Sequence, residues 1–390
     1  MTSRQKLWAI VTLALILPSI LSQSTAFGQV WIDGEQVREA GGAYYFTDRY
    51  GTAVGSVVAT DVEVWTADND IDTATINGTA RFNNTYGYIE SVTLNGISTN
   101  ANDGYFYNQA SGVWVGTVDS VEISNGLMWN AGITHSAIVN GGRLEQVDNG
   151  SIGSVTVNGG LVQQLGSGME SVNGLPVSTN NKPNIGTLFL NAGTVENLDR
   201  IEKLTYAGGT YYGDRVNSIV GTYFGSGTIG SLTLAGNSAG NTGDWGIVEN
   251  LNFANDGSGI YTITAFVEDG VVGFNGLQAQ NVDLMNGRVV IDVWDVVATF
   301  GTFDVLDYLF SDRVIDLAAL FGANTVTGFD DLNSFRITGG SNTLFSYRGG
   351  DTLNNGWSFT GYSTVPEPAT LAIIGLGLAG LGLARRRKVA

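Results

Sequence analysis

The 390-residue chain carries 55 glycines, five prolines, one histidine and no cysteine, and only 14% of its residues are charged. Glycine weakens helix interiors and supplies the positive φ of tight turns, so this composition favours turn-dense β structure. A net charge of −18 repels nucleic acid and anionic lipid headgroups and excludes nucleic acid as a partner, while the absence of cysteine excludes disulfides, zinc–thiolate sites, thiol catalysis and an N-terminal lipoprotein anchor.

Residues 1–28 read as a signal peptide. Arg4 and Lys6 open it, Leu7 to Leu21 form the apolar run, and Ala26-Phe27-Gly28 places small residues where signal peptidase cuts, with cleavage expected before Gln29. The competing reading, an uncleaved membrane anchor, is disfavoured because the run is shorter than the ~20 residues of a spanning helix. Residues 29–73 are richer in Tyr and Trp and lack the repeat that follows, which fits a cap over an open sheet edge. Near the end of this cap, Asp68, Asp70 and Asp72 alternate. Carboxylates in that pattern offer the hard oxygens calcium prefers, although the Gly and closing Glu of an EF-hand loop are absent. They form the candidate metal site, set against a solvated turn as the alternative, and no other cofactor is expected.

A repeat begins at about residue 74 and runs to 260. Its unit, aliphatic-x-(Ser/Thr)-(Val/Leu)-x-(Val/Leu)-(Asn/Ala)-Gly, is clearest at Ile89–Gly96 and Ile152–Gly159, with weaker copies from Val118, Met169, Ile185, Ile201, Ile229 and Val248. A degenerate copy ends in Ile138-Val139-Asn140-Gly141. The copies from 152 to 201 follow one another at 17 and then 16 residues. Apolar residues alternate inside each unit as in a strand with one buried face, and the Asn-Gly after it is a turn signal. A second short strand fits between copies, as in Gly160 to Gly166. A coil of strand, turn, strand and turn cannot bury its apolar face alone, and stacking coils solves that problem. The fold class expected is all-β, a parallel β-solenoid of about 17 residues per coil. In general form it is similar to the passenger regions of autotransporter adhesins. A Gly-rich β-sandwich with hairpins at each Asn-Gly is the competing architecture.

Residues 261–364 change character and read as a C-terminal β-rich cap or small domain. Asp312 to Phe321 has helical spacing, with Gly322 placed to end a short helix.

The chain closes on Val365-Pro366-Glu367-Pro368-Ala369-Thr370, the apolar run Leu371 to Ala384, and Arg385-Arg386-Arg387-Lys388. As a helix the run would span about 21 Å against a hydrocarbon core of ~30 Å, and the basic cluster would stay cytoplasmic with the body outside. Pro-Glu-Pro, a short Leu/Gly/Ala/Ile-rich helix and a terminal Arg cluster resemble the PEP-CTERM sorting signal of Gram-negative and related bacteria. That resemblance implies an exosortase substrate held transiently in the inner membrane, then delivered to the cell surface or extracellular matrix. It covers only residues 365–390. Gly375-Leu376-Gly377-Leu378-Ala379-Gly380 also spells a dinucleotide-binding fingerprint, but the chain ends before the crossover helix and acidic residue that fingerprint needs.

No catalytic constellation emerges. His135, the only histidine, reads as a solvent-facing strand residue with no Ser in a nucleophile elbow. Sparse bases such as Arg81, Arg143 and Arg200 argue against cleavage of acidic polysaccharides. Tyr44, Tyr45, Tyr50, Tyr86, Tyr88, Tyr105 and Tyr107 either fill the core or stack on sugars. The expectation is a non-enzymatic structural or adhesive surface protein, with signal peptidase and exosortase as partners in export and extracellular polysaccharide or surface proteins as partners afterwards. A polysaccharide lyase or hydrolase on a β-helix, or a carbohydrate-binding protein, is the alternative.

Overall fold

The computed structural model describes residues 28–39, 43–45, 53–66, 69–97, 104–111, 114–147, 150–164, 184–197, 199–217, 222–301, 305–329, 334–348 and 357–363. The expected signal peptide, apart from Gly28, and the whole sorting tail lie outside them. So do Asp68, Tyr50 and the repeat copy at Met169. The chain divides into two units, residues 1–186 and 187–390.

In the first unit the strands Ala53–Thr60, Asp70–Gly78, Tyr88–Gly96, Thr117–Asn125, Ile133–Val139 and Ser151–Val157 pair in parallel, each with the next. Between them come the short strands Ala43–Tyr45, Glu63–Thr66, Arg81–Asn84, Tyr105–Asn108, Leu127–Asn130, Arg143–Gln146 and Leu161–Gln164, which form a second parallel sheet. The chain alternates between the sheets, and this is the coil of a β-solenoid. In-register pairing stacks like positions into buried columns. Ala59, Ile76, Leu94, Ile123, Val139 and Val157 form one, and Val64, Phe82, Phe106, Met128, Leu144 and Val162 face the core from the short sheet.

The repeat's Ser or Thr has a specific task. Between the first two inward residues of each long strand the chain places two outward residues, and the first of these drops out of the pairing register. Its carbonyl is taken by the hydroxyl one coil on: Thr73 Oγ1 donates to Gly55 O at 3.3 Å, Ser120 Oγ to Glu90 O at 3.1 Å and Ser136 Oγ to Asp119 O at 3.0 Å. A backbone group the ladder skips still needs a partner, so the hydroxyl recurs.

At the other end of the coil the last residue of each short strand points inward and is polar. Thr66, Asn84, Asn108, Asn130, Gln146 and Gln164 are all buried. Thr66 donates to Asn84, Asn84 Nδ2 to Asn108 Oδ1 at 3.0 Å, Asn108 Nδ2 to Asn130 Oδ1 at 2.9 Å, and Asn130 Nδ2 to Gln146 Oε1 at 2.9 Å. The same amides reach the carbonyls of Gly87, Ile133 and Ser151 as the chain turns into the next long strand. Glycines make room for the ladder. A Cβ at Gly87, Gly116, Gly132 or Gly150 would lie 2.3 to 2.6 Å from a backbone or ladder oxygen, closer than any real contact allows.

The solenoid begins earlier than residue 74. The strand Ala53–Thr60 already supplies Val54, Val57 and Ala59 to the core. It turns at Asp61, with φ 53°, in place of an Asn-Gly, which removes the signal that marks the later coils. The cap proper is the hairpin Gln29–Ile32 and Glu35–Glu39, which pairs antiparallel onto Ala53–Thr60. Its two-residue turn Asp33-Gly34 has φ 51° and 80°, as the tight hairpin turns matched to strand twist require. An antiparallel cap ends the parallel register and closes the edge.

In the second unit Arg200–Tyr206, Thr228–Leu234, Ile247–Phe253, Ala279–Asp283 and Thr325–Thr327 stack in parallel. Ile260–Glu268, Arg288–Asp292 and Ser334–Gly339 form the opposing parallel sheet, edged by the antiparallel strands Val271–Asn275 and Asn342–Arg348. Coiling therefore continues past residue 261 as far as Ser334–Gly339, where a separate cap or domain was expected. Insertions between coils stretch the spacing and conceal the repeat. One insertion carries the helices Trp294–Phe300, Val305–Leu309 and Leu317–Phe321. The expected helix from Asp312 is confined to its last turn. Asp312 and Arg313 adopt left-handed φ of 60° and 57°, and Val314–Asp316 pairs as a strand with Ser358–Thr360. Asp316 then caps the helix by accepting from Ala319 N, and Gly322, φ 60°, ends it.

Arg200 laces three coils of this unit. It donates to Glu202 at 2.8 Å and, across the bare Cα of Gly230, to both oxygens of Glu249 at 2.7 and 3.1 Å.

Candidate functional sites

The outer face of the first unit's long sheet gathers acids and the one histidine. Asp70 and Asp72 occupy exposed outward positions of the strand Asp70–Gly78, so these acids begin a strand where a loop or turn was read. Asp68 lies outside the described residues, and the calcium expectation turns on it. Among the described residues no group of three metal-ligating side chains comes together.

Two coils further on, Asp119 accepts a hydrogen bond from the Tyr88 hydroxyl and lies 2.8 Å from His135 Nδ1. The Tyr88 bond, then the His135 bond, holds the Asp119 carboxyl below its ordinary range, and the same bond pushes the Tyr88 phenol up to about 12. His135 is exposed on an open sheet face, its side chain 62% accessible, and the nearby Ser120 and Ser136 hydroxyls are occupied by backbone carbonyls. A lowered carboxyl pKa contributes stability above the ordinary carboxylate range that disappears on acidification. A raised phenol pKa contributes stability below about pH 10 that disappears as pH rises. Tyr88→Phe should therefore move the Asp119 titration up toward the ordinary value, read from its carboxyl carbon chemical shift. An unchanged titration would mean the bond is not made in solution.

The aromatic residues sort between surface and core. Tyr45, 57% exposed, stacks on Trp65 with ring centroids 6.3 Å apart, and Tyr105 and Tyr107 pack on Trp129 at 5.0 and 6.0 Å, all on the outward side of the short sheet. Trp65 and Trp129 donate their indole N–H groups to Glu63 and Glu145.

The second unit contains a cleft that sequence reading missed. The loop after Thr228–Leu234 is folded by its own side chains: Asn237 accepts from Ala239 N, Asn241 from Gly243 N and Asp244 from Gly246 N. Asn241 also accepts from Tyr211 N at 2.7 Å, while Ser238 Oγ accepts from Thr262 N at 2.8 Å and thereby fixes the loop to the strand Ile260–Glu268. Trp245, 8% exposed, is wedged between Tyr206 and Tyr211. Burial raises the Tyr211 phenol, which accepts from the buried Asn197 amide at 2.8 Å. On the far side the Tyr261 hydroxyl donates to Leu277 O and holds the turn after Val271–Asn275 in place. These walls enclose about 520 Å3. Its lining includes Asp244, Thr262, Thr264, Asn275 and Gln278 and, among the described residues, no basic side chain. The cleft joins loops far apart in sequence, so no local motif announces it.

None of the described helices is long and apolar enough to cross a membrane. A family model described as the PEP-CTERM protein-sorting motif matches residues 364–388. No curated protein and no solved structure matches the chain.

Proposed function

We propose that this exported exosortase substrate is displayed at the cell surface or in the extracellular matrix, where its solenoid serves a structural or adhesive role without catalysis. The sorting motif at residues 364–388 carries the reading. The body supports it, because a stack of parallel coils offers long, rigid outer faces of the kind adhesive passengers use. The sole histidine sits on an open sheet face with its neighbouring hydroxyls engaged by backbone, which argues for a scaffold over a hydrolase. Signal peptidase would remove residues 1–28, and Val365, Pro366, Glu367 and Pro368 would be the segment exosortase reads. Pro on both sides of Glu367 would disfavour a helix there and leave the backbone open to a protease. Arg385, Arg386, Arg387 and Lys388 would hold the end of the tail in the cytoplasm until cleavage. Mass spectrometry of surface material from the native host should then find peptides ending near Pro366 and none containing Gly375 to Lys388. Glu367→Ala should leave the full-length chain in the membrane. Intact tail peptides on mature surface protein would favour a plain tail anchor.

A further inference from the structure

We infer that the cleft between the 238–246 loop and the turn at residues 275–278 binds a neutral, hydroxyl-rich glycan segment and does not cleave it. This rests on the display reading only for its biological setting, since it names what the displayed body would hold. Size comes first: about 520 Å3 lies within the ~300–1,000 Å3 of small-ligand sites. Chemistry comes second. Thr264, Asn275 and Gln278 line the space with a hydroxyl and two amides, all exposed, and these make no hydrogen bond to other described residues. An amide both donates and accepts, which matches the paired hydroxyls of a sugar ring.

Charge then selects among polar ligands. Among the described residues the lining has a carboxylate, Asp244, and no Lys or Arg, and the chain carries −18 overall, so phosphates, nucleotides and uronic acids are repelled. Glycoside hydrolysis needs two carboxyl groups flanking the bond, and Asp244 is the single acid among the described lining residues. Rigidity is the last element. Asn241, Ser238 and Tyr261 spend their polar groups on holding the walls, so the cleft is formed before ligand arrives and binding loses little to ordering.

The test uses the full-length, uncleaved chain in a non-glycosidic detergent, so that failure of sorting cannot affect it. Calorimetric titration with neutral hexasaccharides of the α-glucan, β-glucan, β-mannan and β-galactan types should show binding of at least one at a single site, with hexagalacturonate not binding. Asn275→Ala combined with Gln278→Ala should weaken that binding by at least about tenfold. Thr264→Trp, which fills the cleft, should abolish it, and both variants should keep the wild-type unfolding temperature. Tyr45→Ala with Trp65→Ala should leave affinity unchanged. The inference is overturned if no neutral hexasaccharide binds, if hexagalacturonate binds more tightly, or if affinity survives in Thr264→Trp. Loss of binding only in the Tyr45/Trp65 variant would overturn it as well, by moving the site to the aromatic strip of the first unit.

Discussion

Val157→Asp should abolish cooperative folding of the first unit, whereas Thr156→Asp should leave its stability within about 0.5 kcal/mol of wild type. The two positions are adjacent on one strand and point opposite ways. Val157 is fully buried and stands in register with Val139 of the coil before it, while Thr156 is partly exposed opposite Ile138. Removing the valine forfeits ~1.5–3 kcal/mol of burial, and an unpaired carboxylate in that column costs several kcal/mol more. The sum rivals the ~5–15 kcal/mol that holds an ordinary domain together. In a stack stabilised by neighbours, the broken coil also removes the template for the coils on either side. Far-UV circular dichroism with hydrogen exchange would read the difference. Equal tolerance at both positions would sink the stacked-coil register.

That contrast was legible in the sequence because it depends only on alternation within a strand and on the Asn-Gly that ends it. Ile89, Val118, Ile152, Ile185, Ile201, Ile229 and Val248, read as starts of repeat units, are all buried in the structure. The coils at Val54, Ile71, Ala279 and Val326 were not legible in this way. Their strands supply buried residues to the same columns, but the turn after the Val54 strand lacks the dipeptide, the Ile71 unit keeps Asn77-Gly78 yet has Ala74 and Ile76 where the pattern has Val or Leu, and near Ala279 and Val326 the spacing is stretched by an inserted hairpin or helix. The sorting tail is the opposite case. It is a linear signal with every part within 26 residues, so composition and order suffice to see it. The cleft needs Thr264, Asn275 and a loop from Ser238 to Gly246 brought together by the coil, and the hydrogen bonds that shape it follow no period. His135 was read correctly as outward, yet its partner Asp119 comes from the preceding coil, a contact only the stacking register defines.

The amide ladder escaped the sequence for a related reason, and it carries the second large effect. Its members follow one another at separations of 24, 22 and 16 residues, because residues are inserted between coils, among them the hairpin of Ala110–Ser111 with Trp114–Val115, so no fixed period connects them. Asn108→Ala should cost about 3–5 kcal/mol. The side chain accepts from Asn84 Nδ2 and donates to Asn130 Oδ1 and to the carbonyl of Ile133. Each of these groups would lose a partner where water does not replace it, at roughly 1–3 kcal/mol apiece when nothing compensates. Two of the three keep a second bond, Asn84 to Gly87 O and Asn130 from Thr134, which holds the total to the lower part of that sum. Asn140→Ala is the control. It removes chemically similar bonds, to Glu122 at 2.9 Å and from Asn158 at 3.0 Å, on the exposed face of the opposite turn. Water takes over there, and the expected loss is under about 1 kcal/mol. Gly132→Ala probes the same ladder from outside, since its Cβ would lie 2.3 Å from Gly116 O and 2.7 Å from Asn108 Nδ2. It should approach Asn108→Ala in cost, because backbone on one side and a bonded amide on the other leave the methyl nowhere to go. Urea unfolding followed by tryptophan fluorescence would rank the three variants. If Asn108→Ala proved no worse than Asn140→Ala, the buried amides would be passengers, and the apolar columns alone would hold the coils in register.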